Sequence, residues 1–220
     1  MGEPGTLSLS TRGKTVILGN SGFVGRALQR HLEQAGVDVR GYSSRTLDLQ
    51  RPDALSTLDG VLDADTTLIF LAALTPDRGM TLDTLSSNVA MATNAARYLT
   101  DRPVRKCVYI SSDAVYGAAT DPVSEETPAE PGNFYALAKF ASERILTYVA
   151  AAGGFPLLVL RPVAVYGPGD THGSYGPNQF VRMIARERMV RLFGEGEEER
   201  DHLYLDDLCL LYTSPSPRDS

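Results

Sequence analysis

Five short, almost uninterrupted apolar runs, "KTVILGN", "VDVRGYS", "TTLIFLA", "KCVYISS" and "PLLVLRP", alternate along the chain with longer segments whose apolar residues fall at helical spacing. Runs without polar alternation predict parallel strands buried on both faces. The segments between them, "FVGRALQRHLEQAG", a short "PDALSTLDGVL", "TLDTLSSNVAMATNAARYLT" and "NFYALAKFASERILTYVAAAG", predict the crossover helices. Repetition of this kind builds an α/β fold, a doubly wound parallel sheet, with ligands bound beyond the carboxyl ends of the strands. Further on, "GPGDTHGSYGPNQ" reads as loop, followed by a helix, "FVRMIARERM", and a short strand, "HLYL". There is no internal repeat and no heptad seam.

A chain of 220 residues with 43% hydrophobic content buries one sizeable core, with room for a small cap. Its net charge of −6 argues against a nucleic-acid partner, which demands a basic face. Two cysteines, Cys107 and Cys209, make no disulfide framework. Together with the scattered His31, His172 and His202 they offer no ligand spacing for a metal. No apolar stretch approaches membrane-spanning length, and "MGEPGTLSLSTRGK" lacks the apolar region of a signal peptide. The expectation is a soluble cytoplasmic protein without membrane partners or structural metal.

Directly after the first apolar run, "VILGNSGFVG" places Gly19, Gly22 and Gly25 in G-x-x-G-x-x-G spacing at the opening of the first helix. Gly19 permits the tight turn, Gly22 lets backbone amides approach a pyrophosphate, and Gly25 allows helix and strand to pack closely. The helix start at Phe23 and Val24 supplies donors and partial positive charge, so an anionic dinucleotide binds despite the acidic chain. At the end of the second strand Ser43 stands where an Asp would select NAD, and Arg45 follows close behind. That pair favours NADP over NAD, the alternative being a solvated arginine in a loop.

A third feature is Tyr135 four residues before Lys139, one of only three lysines beside eighteen arginines. On a helix, that spacing puts phenol and ammonium on one face. A cation held there favours phenolate, drawing an ordinary tyrosine pKa of about 10 towards neutrality and making a usable acid or base. The plain alternative is a half-buried tyrosine beside a solvated lysine.

The glycine spacing, "SSDAVYG" at 111 to 117 and Y-x-x-x-K at 135 to 139 form an ordered set that resembles the extended short-chain dehydrogenase/reductase family, the NAD-dependent epimerase/dehydratase group acting on nucleotide sugars. The likeness spans Lys14 to about Leu208. It implies that Ser112 hydrogen-bonds the reacting hydroxyl, Tyr135 exchanges its proton, and Lys139 tunes the tyrosine and holds the nicotinamide ribose. It further implies that Asp48 and Leu49 flank the adenine and that Ala72 and Ala73 lie under the cofactor ribose. Asn88 is then the helix asparagine near the site, and Pro162 and Val163 complete the cofactor contacts. Asp113, Asn178 and Arg200 would meet the substrate, the last two at its diphosphate.

Two departures narrow the activity. Asp113 is followed by Ala114 where family dehydratases carry a glutamate base, and Ala164 replaces an asparagine that contacts the substrate diphosphate in many relatives. The resemblance therefore points to an NAD(P)-dependent nucleotide-sugar epimerase, with an NADPH-dependent reductase of a keto-deoxy nucleotide sugar as the alternative. A non-catalytic dinucleotide sensor would have no need of both Tyr135 and Lys139. A homodimer is implied for the full-length protein.

The expected organisation is a loose tail over 1–13, a Rossmann dinucleotide-binding domain over 14–162, and the start of a substrate-binding region over 163–208. The closing "CLLYTSPSPRD" can be encoded by codons resembling a sequencing-library adapter read in frame, so residues 209–220 are expected to be artefactual and the chain truncated.

Overall fold

The computed structural model describes residues 13–118, 122–170, 176–191 and 200–211. They fall into two compact units, one within Ser10–Arg161 and one within Pro162–Ser220.

In the first unit, the five apolar runs become β1 (Lys14–Leu18), β2 (Asp38–Tyr42), β3 (Thr67–Phe70), β4 (Lys106–Ile110) and β5 (Leu157–Leu160). All four pairings are parallel, in the order β2-β1-β3-β4-β5. The order reverses direction at β1 and β3, which opens a crevice at their carboxyl ends. Helices α1 (Phe23–Gln34), α2 (Leu82–Thr100) and α3 (Phe134–Gly153) make the crossovers.

Successive strand side chains point to opposite faces, and the core divides accordingly. On one face Val16, Leu18, Leu68, Phe70, Cys107 and Tyr109 pack with Met91, Ala95 and Leu99 of α2 and Leu146 and Ala150 of α3. Ile17, Ile69 and Val108 are buried outside that cluster, as are Phe23, Leu28 and Leu32 of α1, so α1 covers the other face.

Burial on both faces holds for β1, β3 and β4 only. Asp38 and Arg40 of β2 and Leu158 of β5 are exposed, because these two strands are the edges of the sheet. The segment "PDALSTLDGVL" also differs from the expected helix. It forms a 3-10 turn at Pro52–Leu58, whose buried Leu55 and Leu58 stand three residues apart, one per turn of that tighter helix.

The helix that carries Tyr135 and Lys139 has a defined start. The Asn133 side chain accepts a hydrogen bond from the Ala136 amide at 2.9 Å, and the far end closes on Gly154 in the left-handed conformation, φ 68°. Such an N-cap contributes about 1 kcal/mol and sets which residues enter the first turn.

The second unit contains β6 (Ala164–Tyr166), α4 (Gly176–Glu187), β7 (His202–Tyr204) and α5 (Leu205–Leu210). β6 and β7 pair in parallel, and Tyr166 packs on Tyr204 with ring centroids 5.4 Å apart. "HLYL" yields a strand as expected, but Leu205 already belongs to α5. β6 is an addition, and α4 begins four residues before the expected helix. Cys209, at the start of the stretch expected to be artefactual, is buried in α5, and 212–220 lie outside the described residues. Among the described residues no helix is long and apolar enough to cross a membrane.

Candidate active site

The loop between β1 and α1 is set by backbone contacts. The amides of Gly19 and Asn20 both donate to the Tyr42 carbonyl, at 2.7 and 3.2 Å, tying the loop to the end of β2. Gly19 has φ 98°, and a Cβ there would lie 2.7 Å from the Ala72 nitrogen. A Cβ on Gly25 would lie 2.3 Å from the Gly19 carbonyl oxygen. These two glycines are demanded by the protein's own packing.

Gly22 differs. A Cβ on it would meet only the Gly19 carbonyl oxygen, at 3.5 Å, an ordinary contact. Among the described residues no contact demands a glycine at this N-cap position, and its bare backbone admits close approach of an external group. The start of α1 has no side-chain cap and no acidic residue in its first turn, so its amide hydrogens remain available to an anion. Asn20 donates to Gln29 Oε1 at 2.9 Å, while its own Oδ1 is buried without a partner. A bare cradle and an uncapped helix end fit the pyrophosphate of a dinucleotide, while the Asn20 oxygen can accept only from a hydroxyl or amino group.

The flanking loops occupy the same end of the sheet. After β2, Ser43 closes a turn: its amide donates to Thr46 Oγ1 at 2.9 Å, its carbonyl accepts from Leu47 at 2.8 Å, and its Oγ accepts from the Arg45 amide. The Arg45 side chain is exposed. Asp48 Oδ1 accepts from the Gln50 amide at 3.0 Å, and Leu49 is a core residue with 4% exposure. After β3, Ala72 and Ala73 are half-buried, with Ala72 against Gly19. Asn88, buried in α2, clamps the Leu74 backbone, accepting from its amide at 2.7 Å and donating to its carbonyl at 3.0 Å. It shapes the loop that carries Ala72 and Ala73.

Beyond β4, Ser112 caps a 3-10 turn, Asp113–Tyr116, that packs against α3. Its hydroxyl donates to Asp113 Oδ1 at 3.0 Å and accepts from the Ala114 amide at 3.2 Å. Tyr135 sits half-buried in the first turn of α3. Lys139 is 4% exposed. Its Nζ donates to the Ile110 carbonyl at 2.7 Å and lies 5.9 Å from the Tyr135 ring centroid and 5.1 Å from that of Tyr109. The ammonium is therefore pinned to the carboxyl end of β4, beside the phenol. Burial pulls the Lys139 pKa down to about 8, with the negative charge of Glu143 opposing the fall. The Tyr109 hydroxyl is pushed well above its ordinary value, chiefly by burial.

The structure thus brings together Gly19 with Ala72, and Tyr135 with Lys139 beside the turn of Ser112. The four remaining expected residues belong to the second unit. There Pro162 and Val163 are half-buried before β6, and Arg200 is exposed. The Asn178 amide donates to the Gly167 carbonyl at 3.0 Å and to Asp170 Oδ2 at 2.9 Å. Both of its hydrogens therefore hold the 167–170 loop and none is left for a diphosphate, while Arg182 donates to the Asp170 carbonyl.

Sequence reasoning missed Asn133, the cap of α3, and a part-buried ion pair in which Arg161 donates to Glu143 through Nε at 3.0 Å and Nη2 at 2.6 Å. The available signal was the spacing of four between Lys139 and Glu143, which repeats that of Tyr135 and Lys139.

Residues 15–213 match the model of the NAD dependent epimerase/dehydratase family. The chain is 28% identical over 220 residues to the UDP-glucose 4-epimerase of Mycolicibacterium smegmatis, covering 89% of this chain and 70% of that one. It is 30% identical over 211 residues to the GDP-6-deoxy-D-mannose reductase of Pseudomonas aeruginosa, covering 89% and 68%. Among solved structures, RMD from Pseudomonas aeruginosa complexed with NADPH superposes with a TM-score of 0.76 at 30% identity, covering 90% of this chain and 72% of that one. The chain spans 34% and 39% of the length of the first two curated relatives it matches.

Proposed function

The chain belongs to the NAD-dependent epimerase/dehydratase family, and from that premise we propose that it forms the cofactor-binding and catalytic part of an NAD(P)-dependent nucleotide-sugar epimerase. The observation that carries this reading is the buried Lys139 ammonium, fixed on the Ile110 carbonyl 5.9 Å from the Tyr135 ring.

The glycine loop and the first turn of α1 bind the dinucleotide pyrophosphate through backbone amides. When bound, the nicotinamide supplies the sink that takes up and returns a hydride. Tyr135 removes the proton from the sugar hydroxyl as the carbon is oxidised, so no free alkoxide forms, and gives it back on the return step. The Lys139 charge stabilises the phenolate, and Ser112, with its hydroxyl on the capped turn, orients the reacting oxygen. With Ala114 beside Asp113, no carboxylate base follows in that motif, which counts against elimination of water. The exposed Arg45 at the end of β2 supports NADP over NAD as the cofactor, since a guanidinium pairs with a 2′-phosphate. On the same reading the enzyme is cytoplasmic and works as a homodimer.

The second reading is an NADPH-dependent reductase of a keto-deoxy nucleotide sugar, which Arg45 also favours. Supplying the full-length enzyme with a panel of nucleotide sugars, keto-deoxy ones included, and with NAD+, NADP+ or NADPH in separate assays, while following both product and nicotinamide absorbance, separates the two. An epimerase converts one sugar with no net change in absorbance. Stoichiometric loss of NADPH assigns the reductase, and conversion of no member of the panel contradicts both.

A further inference from the structure

Glu143 has no place in the proton exchange above, yet its side chain is only 5% exposed and its carboxylate accepts both hydrogen bonds from Arg161. Arg161 directly follows β5, and its guanidinium carbon lies 4.8 Å from the centroid of the Tyr116 ring. Tyr116 ends the 3-10 turn that Ser112 caps. Glu143 is also one helical turn beyond Lys139, so carboxylate and ammonium share a face of α3.

Stability alone does not explain such a pair. Withdrawing the Glu143 carboxylate from water, with Arg161 half-buried against it, costs several kcal/mol, and well-packed apolar side chains of the same volume often serve a fold as well or better. What apolar side chains cannot supply is a negative charge beside Lys139. The groups around the ammonium are Tyr135 and Glu143 on its own helix and Tyr109 on β4, with Arg161 behind Glu143 and Asp113 exposed at the neighbouring turn. Of these, Glu143 is the carboxylate that acts on it electrostatically, and it does so against a burial that has already lowered the Lys139 pKa to about 8.

We propose that Glu143, oriented by Arg161, is a positioning residue whose charge retains the proton on Lys139. The inference rests on the proposed proton exchange for its purpose, but its test needs no turnover.

The chain holds three lysines, Lys14, Lys106 and Lys139, so labelling lysine Cε with 13C gives three resonances that can be titrated by NMR. The Lys139 signal is assigned by its loss in Lys139→Met. Glu143→Gln is expected to lower the Lys139 midpoint by about one pH unit, the scale of a neighbouring opposite charge. The double variant Glu143→Met with Arg161→Met removes both ions at similar volume, a replacement that folded proteins tolerate, and is expected to lower the midpoint as well. A midpoint unchanged or raised in either folded variant overturns the proposal, and a fall in the single variant alone does so too, because it traces the effect to a stranded Arg161. Should the wild-type enzyme convert no nucleotide sugar, the proposed function fails while the Lys139 midpoint still reports on Glu143.

Discussion

Gly22 and Gly25 stand three residues apart and invite different tests. A methyl group on Gly25 would press to 2.3 Å from the Gly19 carbonyl and 2.8 Å from the Asn20 Cα, so Gly25→Ala displaces the loop and destabilises the unit by about 1–3 kcal/mol. Gly22→Ala meets no such obstacle and leaves the melting temperature nearly unchanged. It nonetheless weakens dinucleotide binding about tenfold or more, because the methyl group occupies the approach to the backbone. Calorimetric melting and cofactor titration of the two variants check the contrast; equal binding by Gly22→Ala and wild type would remove the cradle. The spacing of these glycines was legible in the sequence, as was that of Tyr135 and Lys139, because both depend on local periodicity. The engagement of Asn88 with Leu74 and of Asn178 with Asp170 was not, since each partner is fixed by folding rather than by spacing.

At the scale of elements, α3 organises the site. Its start at Asn133 puts Tyr135 in the first turn, where the positive end of the helix dipole also favours a phenolate, and puts Lys139 one turn later against β4. Asn133→Ala is expected to cost about 1 kcal/mol of stability and to reduce turnover more than cofactor affinity, since it frays the turn that carries Tyr135. Denaturant unfolding and steady-state kinetics on the same preparation check this; a stability loss with unaltered turnover would separate the cap from the site. Strands β1, β3 and β4 were readable as buried because both of their faces are covered. The edge positions of β2 and β5 follow from sheet order, which no single run encodes. The three residues of β6 are too few to show a period, and its partner β7 lies far along the chain.

For the molecule as a whole, the buried Lys139 is a stability cost carried at the proposed active site. Its fall from 10.5 to about 8 corresponds to about 3 kcal/mol carried below pH 8. Between about pH 8 and 10.5 the unfolded chain still holds a proton that the folded chain has released, so this group's contribution to stability rises with pH across that window. Lys139→Met is therefore expected to be about 1–2 kcal/mol more stable than wild type at pH 7, allowing for the lost bond to Ile110. That advantage shrinks as the pH approaches 10.5. Thermal melts across that range check the sign. The Tyr135→Phe variant of the full-length enzyme, measured for cofactor dissociation constant and for turnover, tests the proton exchange most directly. Cofactor binding within about twofold of wild type and turnover lowered by about 10²–10⁴ is the expected result, and turnover equal to wild type contradicts the exchange of a proton at Tyr135.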